Sequence, residues 1–484
     1  VDTSLTESLA EHNTIPADAD TRVRTLLILG ASGDLTGRLL LPGLARLIRL
    51  GRADGLKLVG AGSDDWSDQQ WQERISSSFA AALGSADDAG RAALEDVRQD
   101  STYSCLDVTQ QGVLASLVAT LEGPVAIYFA LPPAVSQKAC SALYAGALPK
   151  GTRLVMEKPF GTDQASAHAL NTKLAALVPE QNIHRVDHFL GKATVFNILG
   201  LRFANRILEP VWNSLHIEKV EVIFDEDLSL ENRARYYDGA GALRDMIQSH
   251  LLHVMALIAL NAPSTLHERD LRDHIGSVLR ASSVDLSDPV SSRRARYTAG
   301  DIAGRSVPDY TAEPGVDPSK GTETLAEVVV SINNERWAGV PFILRSGKAL
   351  GTKRKEAIIT FRPVSHVPTG FTGQDSPTRL RIGFGPDTLQ LELDVNGPGD
   401  MFSLDRAVLS ADLNATDLLP YGEVLDGVLA GDPTLSVRGD IAEDCWRIVE
   451  PVLAAWASDE VPLEEYRAGS PGPESWGANA PIRP

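Results

Sequence analysis

The sequence predicts a two-part chain of α/β plus α+β class: an N-terminal Rossmann-like doubly wound parallel sheet, then a C-terminal domain with a large, mostly antiparallel sheet flanked by helices. Three observations carry this. At 484 residues the chain exceeds what one hydrophobic core usually serves. Its first 190 residues alternate short continuous apolar runs with stretches of helical periodicity, as a parallel sheet covered on both faces does. From about residue 195 the strand-like runs instead alternate apolar and polar positions, as antiparallel strands with one wetter face do.

Residues 1–22 are polar and acidic and read as a flexible tail; no basic region leads into an apolar one, so no secretory signal is expected. The dinucleotide-binding domain is expected over 23–195. Its strands are Thr25–Leu29, Leu56–Val59, Val125–Phe129 and Arg153–Met156, and a helix covers Leu35–Leu50. A substrate-binding and dimerisation domain is expected over 196–484. Its strands include Lys219–Phe224, Glu327–Ile332, Glu356–Phe361, Leu380–Phe384 and Thr388–Leu393, with flanking helices at 235–260 and 403–455. Leu251–Leu260 reads as a buried helix, and the Pro/Gly-rich stretch Gly469–Pro484 as an extended surface arm.

Composition excludes several classes. A net charge of -19 argues against a nucleic-acid partner, because phosphate backbones would be repelled. No apolar run reaches the roughly 18–20 residues of a membrane helix, so no membrane partner is expected. Three cysteines, Cys105, Cys140 and Cys445, are too few and too scattered for a disulfide frame or a metal site, which fits the cytoplasm.

Gly30-Ala-Ser-Gly33-Asp34 follows the first strand and opens a helix. Glycines there allow a tight turn and a close approach of backbone N–H groups to a pyrophosphate. The G-x-x-G spacing alone serves a plain strand-to-helix turn equally well. Glu157-Lys-Pro-Phe-Gly161 ends a later strand, where open sheets face their ligand crevice, although a proline can equally just stop a strand. Arg185-Val-Asp-His-Phe-Leu-Gly-Lys192 gathers an acid, an imidazole and an amine. If that segment is helical, Lys192 lies one turn from His188 and both can address one phosphate. In Asp245-Met-Ile-Gln-Ser-His250, His250 borders an apolar stripe of Leu243, Ile247, Leu251, Val254 and Ile258, so by spacing it suits a base or a core histidine. Arg336-Trp-Ala-Gly-Val-Pro-Phe-Ile-Leu-Arg-Ser-Gly-Lys348 precedes a basic cluster, Lys353 to Lys355, which could assist a phosphate or be a solvated turn.

Together these blocks, from Gly30 to about Trp476, resemble the glucose-6-phosphate dehydrogenase family. The turn Gly30 to Thr36 matches its first βα loop, and Arg185–Lys192 matches its R-I-D-H-Y-L-G-K signature in all but two positions. Asp245–His250 matches its D-x-x-Q-N-H context. The resemblance implies hydride transfer from C1 of glucose 6-phosphate to NAD(P)+, giving 6-phospho-D-glucono-1,5-lactone, the first step of the oxidative pentose phosphate pathway. It implies His250 as general base, with Asp187 orienting its imidazole, and His188 and Lys192 on the phosphate. Lys158, Glu226, Asp245, Lys348 and Lys353 would contact substrate. Gly30, Ala31, Ser32, Gly33, Asp34, Leu35, Ser63, Tyr128 and Lys158 would contact the cofactor. It implies a cis bond before Pro159, no metal, and a homodimer or homotetramer.

Three positions depart from the family pattern. Ser63, followed by Asp64 and Asp65, stands where NADP-using members carry an arginine for the 2′-phosphate. NADP is the family default, but these acids favour the free 2′-hydroxyl of NAD; Arg22, Arg24 or Arg38 could substitute for the arginine. Phe189 replaces a tyrosine and so loses one hydroxyl donor, and Gly385 stands where a substrate-facing glutamine is usual. A non-catalytic relative and an unrelated sugar oxidoreductase with a Glu-Lys-Pro motif are the competing readings. Retention of Lys158, Asp187, His188, Lys192, Asp245 and His250 weighs against both.

Overall fold

The structure, a computed structural model, describes residues 22–84, 86–231, 233–413 and 418–476; most of the expected N-terminal tail and the last part of the expected C-terminal arm lie outside them. The described residues divide into two compact units. One takes the chain up to Phe160 together with Ala169–Gly191 and Leu418–Arg438; the other takes Gly161–His168, Lys192–Asp417 and the chain from Gly439 onward.

In the first unit six strands run parallel: β1 (Thr25–Leu29), β2 (Lys57–Gly62), β3 (Thr102–Cys105), β4 (Val125–Phe129), β5 (Arg153–Glu157) and β6 (Ile183–Val186). Their order is β6-β5-β4-β1-β2-β3, and the short strand Ser436–Val437 adds antiparallel outside β6. Every residue of β1 and β4 is buried, which is why these strands read as unbroken apolar runs rather than alternations. The strand order reverses at β1, which lies between β4 and β2. Leu29 is level with Ala61 and Phe129, so the Gly30 turn and Ser63 leave the sheet at the same, ligand-facing end.

This unit also takes in a late segment, Leu418–Arg438, beyond the residues expected for it. The helix Pro420–Ala430 turns Tyr421, Val424, Leu425, Val428 and Leu429 into the same core as Leu41, Leu44 and Ile48. The Arg153 guanidinium donates to the carbonyls of Val428 (2.7 Å) and Leu429 (3.0 Å), the last turn of that helix. Apolar burial and satisfaction of orphan carbonyls thus assign a late segment to the early sheet.

The second unit is built on β7 (Ile217–Asp225), β8 (Ser292–Thr298), β9 (Leu325–Ile332), β10 (Phe342–Gly347), β11 (Arg354–Phe361), β12 (Arg379–Gly383), β13 (Thr388–Asn396), β14 (Ser403–Asp412) and β15 (Leu463–Arg467), in the order β14-β13-β12-β11-β7-β10-β9-β8-β15. Neighbours are antiparallel except β7 with β10 and β8 with β15. Residues 403–412, expected to be helical, form a strand instead. Nine residues of β13 pair with it in continuous register, from Thr388 opposite Asp412 to Asn396 opposite Leu404, and this cross-strand pairing outweighs the local helical pattern. The C-terminal stretch is also no free arm as far as it is described: Trp476 is buried, and its indole donates to Glu464 at 2.7 Å. No helix among the described residues is long and apolar enough to cross a membrane.

The helix that contains His250 is fixed at both ends. Its first part, Leu243–Leu251, winds as a π-helix, and Leu252–Ala259 continues as a fully buried α-helix. At the C-terminus, Trp212 donates to the Ile258 carbonyl at 2.8 Å, Trp337 to Ala259 at 2.7 Å and Arg202 to Ile258 at 2.9 Å. These donors satisfy carbonyls that the helix itself leaves open.

Leu425→Ala should destabilise the first unit by about 2–5 kcal/mol, the usual cost of emptying a buried leucine site. Denaturant unfolding followed by a dinucleotide-binding signal checks it. An unchanged midpoint for loss of binding would mean that the late helix is not part of that core.

Candidate active site

The first unit carries the nucleotide half. Gly30 has φ +84° and no room for a side chain, since a Cβ there would lie 2.3 Å from the Ala130 carbonyl oxygen. Its amide donates to Ala61 at 2.8 Å and the Thr36 hydroxyl to the Gly30 carbonyl at 3.1 Å, which holds the turn closed. Ala31, Ser32, Gly33, Asp34 and Leu35 follow at the start of the helix, where partial positive charge gathers. A tight loop with glycine at both ends, at a strand end and opening a helix, fits a dinucleotide pyrophosphate.

Ser63, Asp64 and Asp65 are exposed just past β2. Burial, with Asp64 and Cys105 adding to it, pushes the nearby Tyr103 hydroxyl up to about 12. The Asp64 charge therefore reaches Tyr103, whose hydroxyl Ser32 of the Gly30 turn also influences. Of the substitute arginines, Arg22 and Arg24 lie at the opposite, N-terminal end of β1, where Arg22 donates to the Arg52 carbonyl. Arg38 is paired with Asp34 at 3.0 Å. The cation the sequence reading missed is Arg74, whose guanidinium donates to the Gly33 carbonyl at 2.9 Å.

β5 delivers Glu157 and Lys158 to the same end of the sheet, and the Lys158–Pro159 bond is cis. The Glu157 carboxylate accepts hydrogen bonds from the Tyr128 and Tyr421 hydroxyls. Burial raises its pKa to about 7, opposed by both tyrosines and Lys158 and assisted by Asp187. Asp187 is buried at the end of β6 and accepts from the Phe189 amide at 3.0 Å. The His188 ring stacks on Tyr421, with centroids 5.8 Å apart and planes 10° apart. Residues 187–191 form successive turns rather than a helix, with Leu190 and Gly191 donating to the carbonyls of Asp187 and His188. The helical spacing entertained for His188 and Lys192 is therefore not what the chain adopts: helix Ala193–Phe203 begins only after Lys192.

The second unit carries an ammonium cluster. Glu226 follows β7, where its amide donates to the Gly347 carbonyl at 2.8 Å. Its carboxylate accepts from Lys348 at 2.8 Å and Lys355 at 2.9 Å, and these two lysines hold it below its ordinary range against the opposing effect of burial. Lys192 donates to the Phe384 carbonyl at 3.4 Å. Burial first, then the neighbouring Lys355, lowers its pKa. Lys353 is exposed and adds a weaker positive field on Lys192. Gly385, at a cis bond to Pro386, presents no side chain here.

His250 is buried at the end of the π-helical segment. Asp245, partly buried, accepts from the Tyr236 hydroxyl at 3.1 Å. Asp245 also raises the buried Tyr237 hydroxyl, an effect second only to burial, and the Lys348 ammonium lies 5.1 Å from the same ring centroid. Upstream, Gly241 at φ +70° breaks the preceding helix, and the buried Glu323 accepts from the Leu243 amide at 2.9 Å, so a carboxylate caps the segment that carries Asp245 and His250.

Tyr421, Glu323 and Arg74 carry no sequence signal of their own, because each acts on residues far away in the chain. Glu157 was within reach, as part of the Glu-Lys-Pro motif.

Two family models cover nearly all of the chain: "Glucose-6-phosphate dehydrogenase, NAD binding domain" over residues 27–197 and "Glucose-6-phosphate dehydrogenase, C-terminal domain" over 199–480. The chain is 38% identical over 464 residues to a glucose-6-phosphate 1-dehydrogenase of Gluconobacter oxydans, spanning 93% of this chain and 94% of that protein. It is likewise 38% identical over 486 residues to the enzyme of that name from Treponema pallidum, spanning 93% and 92%. Among solved structures it is similar to the glucose-6-phosphate 1-dehydrogenase of Mycobacterium avium, with TM-score 0.82 and 33% identity over 96% of this chain and 99% of that one. A glucose-6-phosphate dehydrogenase in complex with its substrate gives TM-score 0.83 at 28% identity, covering 93% and 96%. With both halves matched, the chain belongs to the glucose-6-phosphate dehydrogenase family.

Proposed function

We propose that the chain carries out its family's reaction, the oxidation of C1 of glucose 6-phosphate with NAD(P)+ to 6-phospho-D-glucono-1,5-lactone, with the roles divided as follows. The observation that supports this best is the second unit's combination of a lysine cluster around Glu226 with a buried imidazole, His250. Ammonium groups suit a phosphate dianion, and an imidazole suits proton abstraction from a hydroxyl near neutral pH.

His250 takes the proton of the C1 hydroxyl, and Asp187 is the acid assigned to orient it. When bound, the nicotinamide accepts the hydride that leaves C1. His188 and Lys192 hold the phosphate; Glu226 and Asp245 accept hydrogen bonds from sugar hydroxyls. Lys348 fixes Glu226 from the sugar side, Lys353 adds positive field, and Lys158 serves both substrate and cofactor. Gly30 to Leu35 hold the pyrophosphate, and Ser63 and Tyr128 are the further residues assigned to the cofactor, Tyr128 also bonding Glu157.

We also propose that NAD is accepted at least as well as NADP, since two exposed acids follow Ser63. Homodimerisation is supported by the apolar residues Met401, Phe402, Val408 and Leu409, all more than half exposed around β14. A cytoplasmic location agrees with three cysteines that form no disulfide.

NAD(P)H absorbance with glucose 6-phosphate, beside unphosphorylated glucose, tests the activity. Turnover should require the phosphate, and His250→Asn should lower kcat by about 10²–10⁴ with the fold intact. Near-normal turnover by that variant would remove His250 from the role of base. In the same assay kcat/KM for NAD should equal or exceed that for NADP, and Asp64→Asn should move the ratio toward NADP by ~threefold or more. A strong wild-type preference for NADP would overturn the cofactor proposal.

Glu157 also makes a pH-dependent contribution. Its folded pKa is raised from 4.5 to about 7, so the stability it contributes is complete below the unfolded value and is lost as the pH rises through about 7. Glu157→Gln should flatten the dependence of the denaturation midpoint on pH across that window. An unchanged slope would show that another group titrates there.

A further inference from the structure

β11 pairs with β7 so that Lys355 stands directly opposite Phe224, and Glu226 lies two residues further along, on the same face. The Lys355 ammonium therefore rides over the Phe224 ring, 4.1 Å from its centroid, while reaching Glu226 at 2.9 Å. Lys192 approaches the same ring at 5.8 Å, and Lys355 is the largest charged influence on it. The Lys355 carbonyl accepts from Phe384, and the Phe384 carbonyl accepts from Lys192. Gly385 comes next and leaves open space: a Cβ there would find only the Lys355 Cδ, at 3.9 Å.

Two ammonium groups over one ring repel each other, so an anion placed between them is favourably held. Around Lys192 the charged groups are Lys353 and Lys355 against Glu226 and Asp387, while Lys348 shares Glu226 from the other side. Among these groups the ammonium charges outnumber the carboxylates, which suits a phosphate monoester. Lys353 is exposed, whereas Lys355 is held by Phe224 and Glu226 at the edge of the space beside Gly385.

We propose that Lys355 is a direct substrate contact that bridges the phosphate held by Lys192 and the sugar hydroxyls held by Glu226, in space opened by Gly385. This rests on the assignment of glucose 6-phosphate as substrate and goes beyond it by naming a specificity-determining residue. Lys355 donates to a phosphate oxygen while keeping its bond to Glu226, so it contributes to recognition of the phosphate more than to the chemical step.

The test compares wild type, Lys355→Met and Lys355→Arg in two measurements. In the first, Lys355→Met should raise KM for glucose 6-phosphate about tenfold, as expected for one charge-assisted hydrogen bond, with kcat changed less than about threefold. Lys355→Arg should recover most of the loss. In the second, the inhibition constant of inorganic phosphate should rise about fivefold or more in Lys355→Met. Inorganic phosphate carries no sugar, so this constant reads the phosphate site apart from any effect on the sugar hydroxyls at Glu226. Unaltered phosphate inhibition would overturn the proposal, as would a loss confined to kcat. If the wild type instead shows no preference for glucose 6-phosphate over glucose, the substrate assignment itself fails.

Discussion

The second unit depends on one helix being held still. Leu243–Ala259 carries Asp245 and His250, and its helical conformation leaves donors open at one end and acceptors at the other. The buried Glu323 meets the first of these, and Trp212, Trp337 and Arg202 meet the last. Glu323 occupies the space that any side chain at position 241 would need, so the break at Gly241 and the cap are one arrangement. Between the fixed ends the chain winds as a π-helix over Leu243–Leu251, and His250 lies within it.

The two units position their candidate residues by different rules. In the first unit the residues arrive at the C-terminal ends of parallel strands: the Gly30 turn after β1, Ser63 after β2, Lys158 after β5 and Asp187 after β6. Strand ends collect such residues without long side-chain reach. In the second unit cross-strand register does the work. Phe224 faces Lys355 and Asp225 is level with Gly347, so Glu226 falls between Lys348 and Lys355. A one-residue slip of β11 would turn Lys355 to the opposite face.

Burial is used as a chemical tool as well as a stabilising one. Enclosure raises the Glu157 pKa to about 7, while two tyrosine hydroxyls and Lys158 resist that trend. Tyr421 does double duty, bonding Glu157 and stacking on His188. The late helix therefore completes the early domain's chemistry as well as its core.

Much of this molecule was determined by sequence alone. Unbroken apolar runs identify β1, β4 and β5 because strands buried on both faces have no polar side. The alternating runs identify β7, β9, β11, β12 and β13 because successive side chains of a strand point to opposite faces. The Gly30 turn, the Glu-Lys-Pro motif and Asp245–His250 were legible because each packs its chemistry into a few adjacent residues. Tertiary structure decided what depends on distant partners. Ser403–Asp412 is a strand because β13 pairs with it, and Pro420–Ala430 belongs to the first unit because that core needed covering. Lys355 meets Glu226, while Lys353 two residues earlier is exposed, through register that no local pattern records. Local propensity and motif spacing act over one turn or one strand, whereas pairing, capping and burial are settled by residues tens to hundreds of positions away.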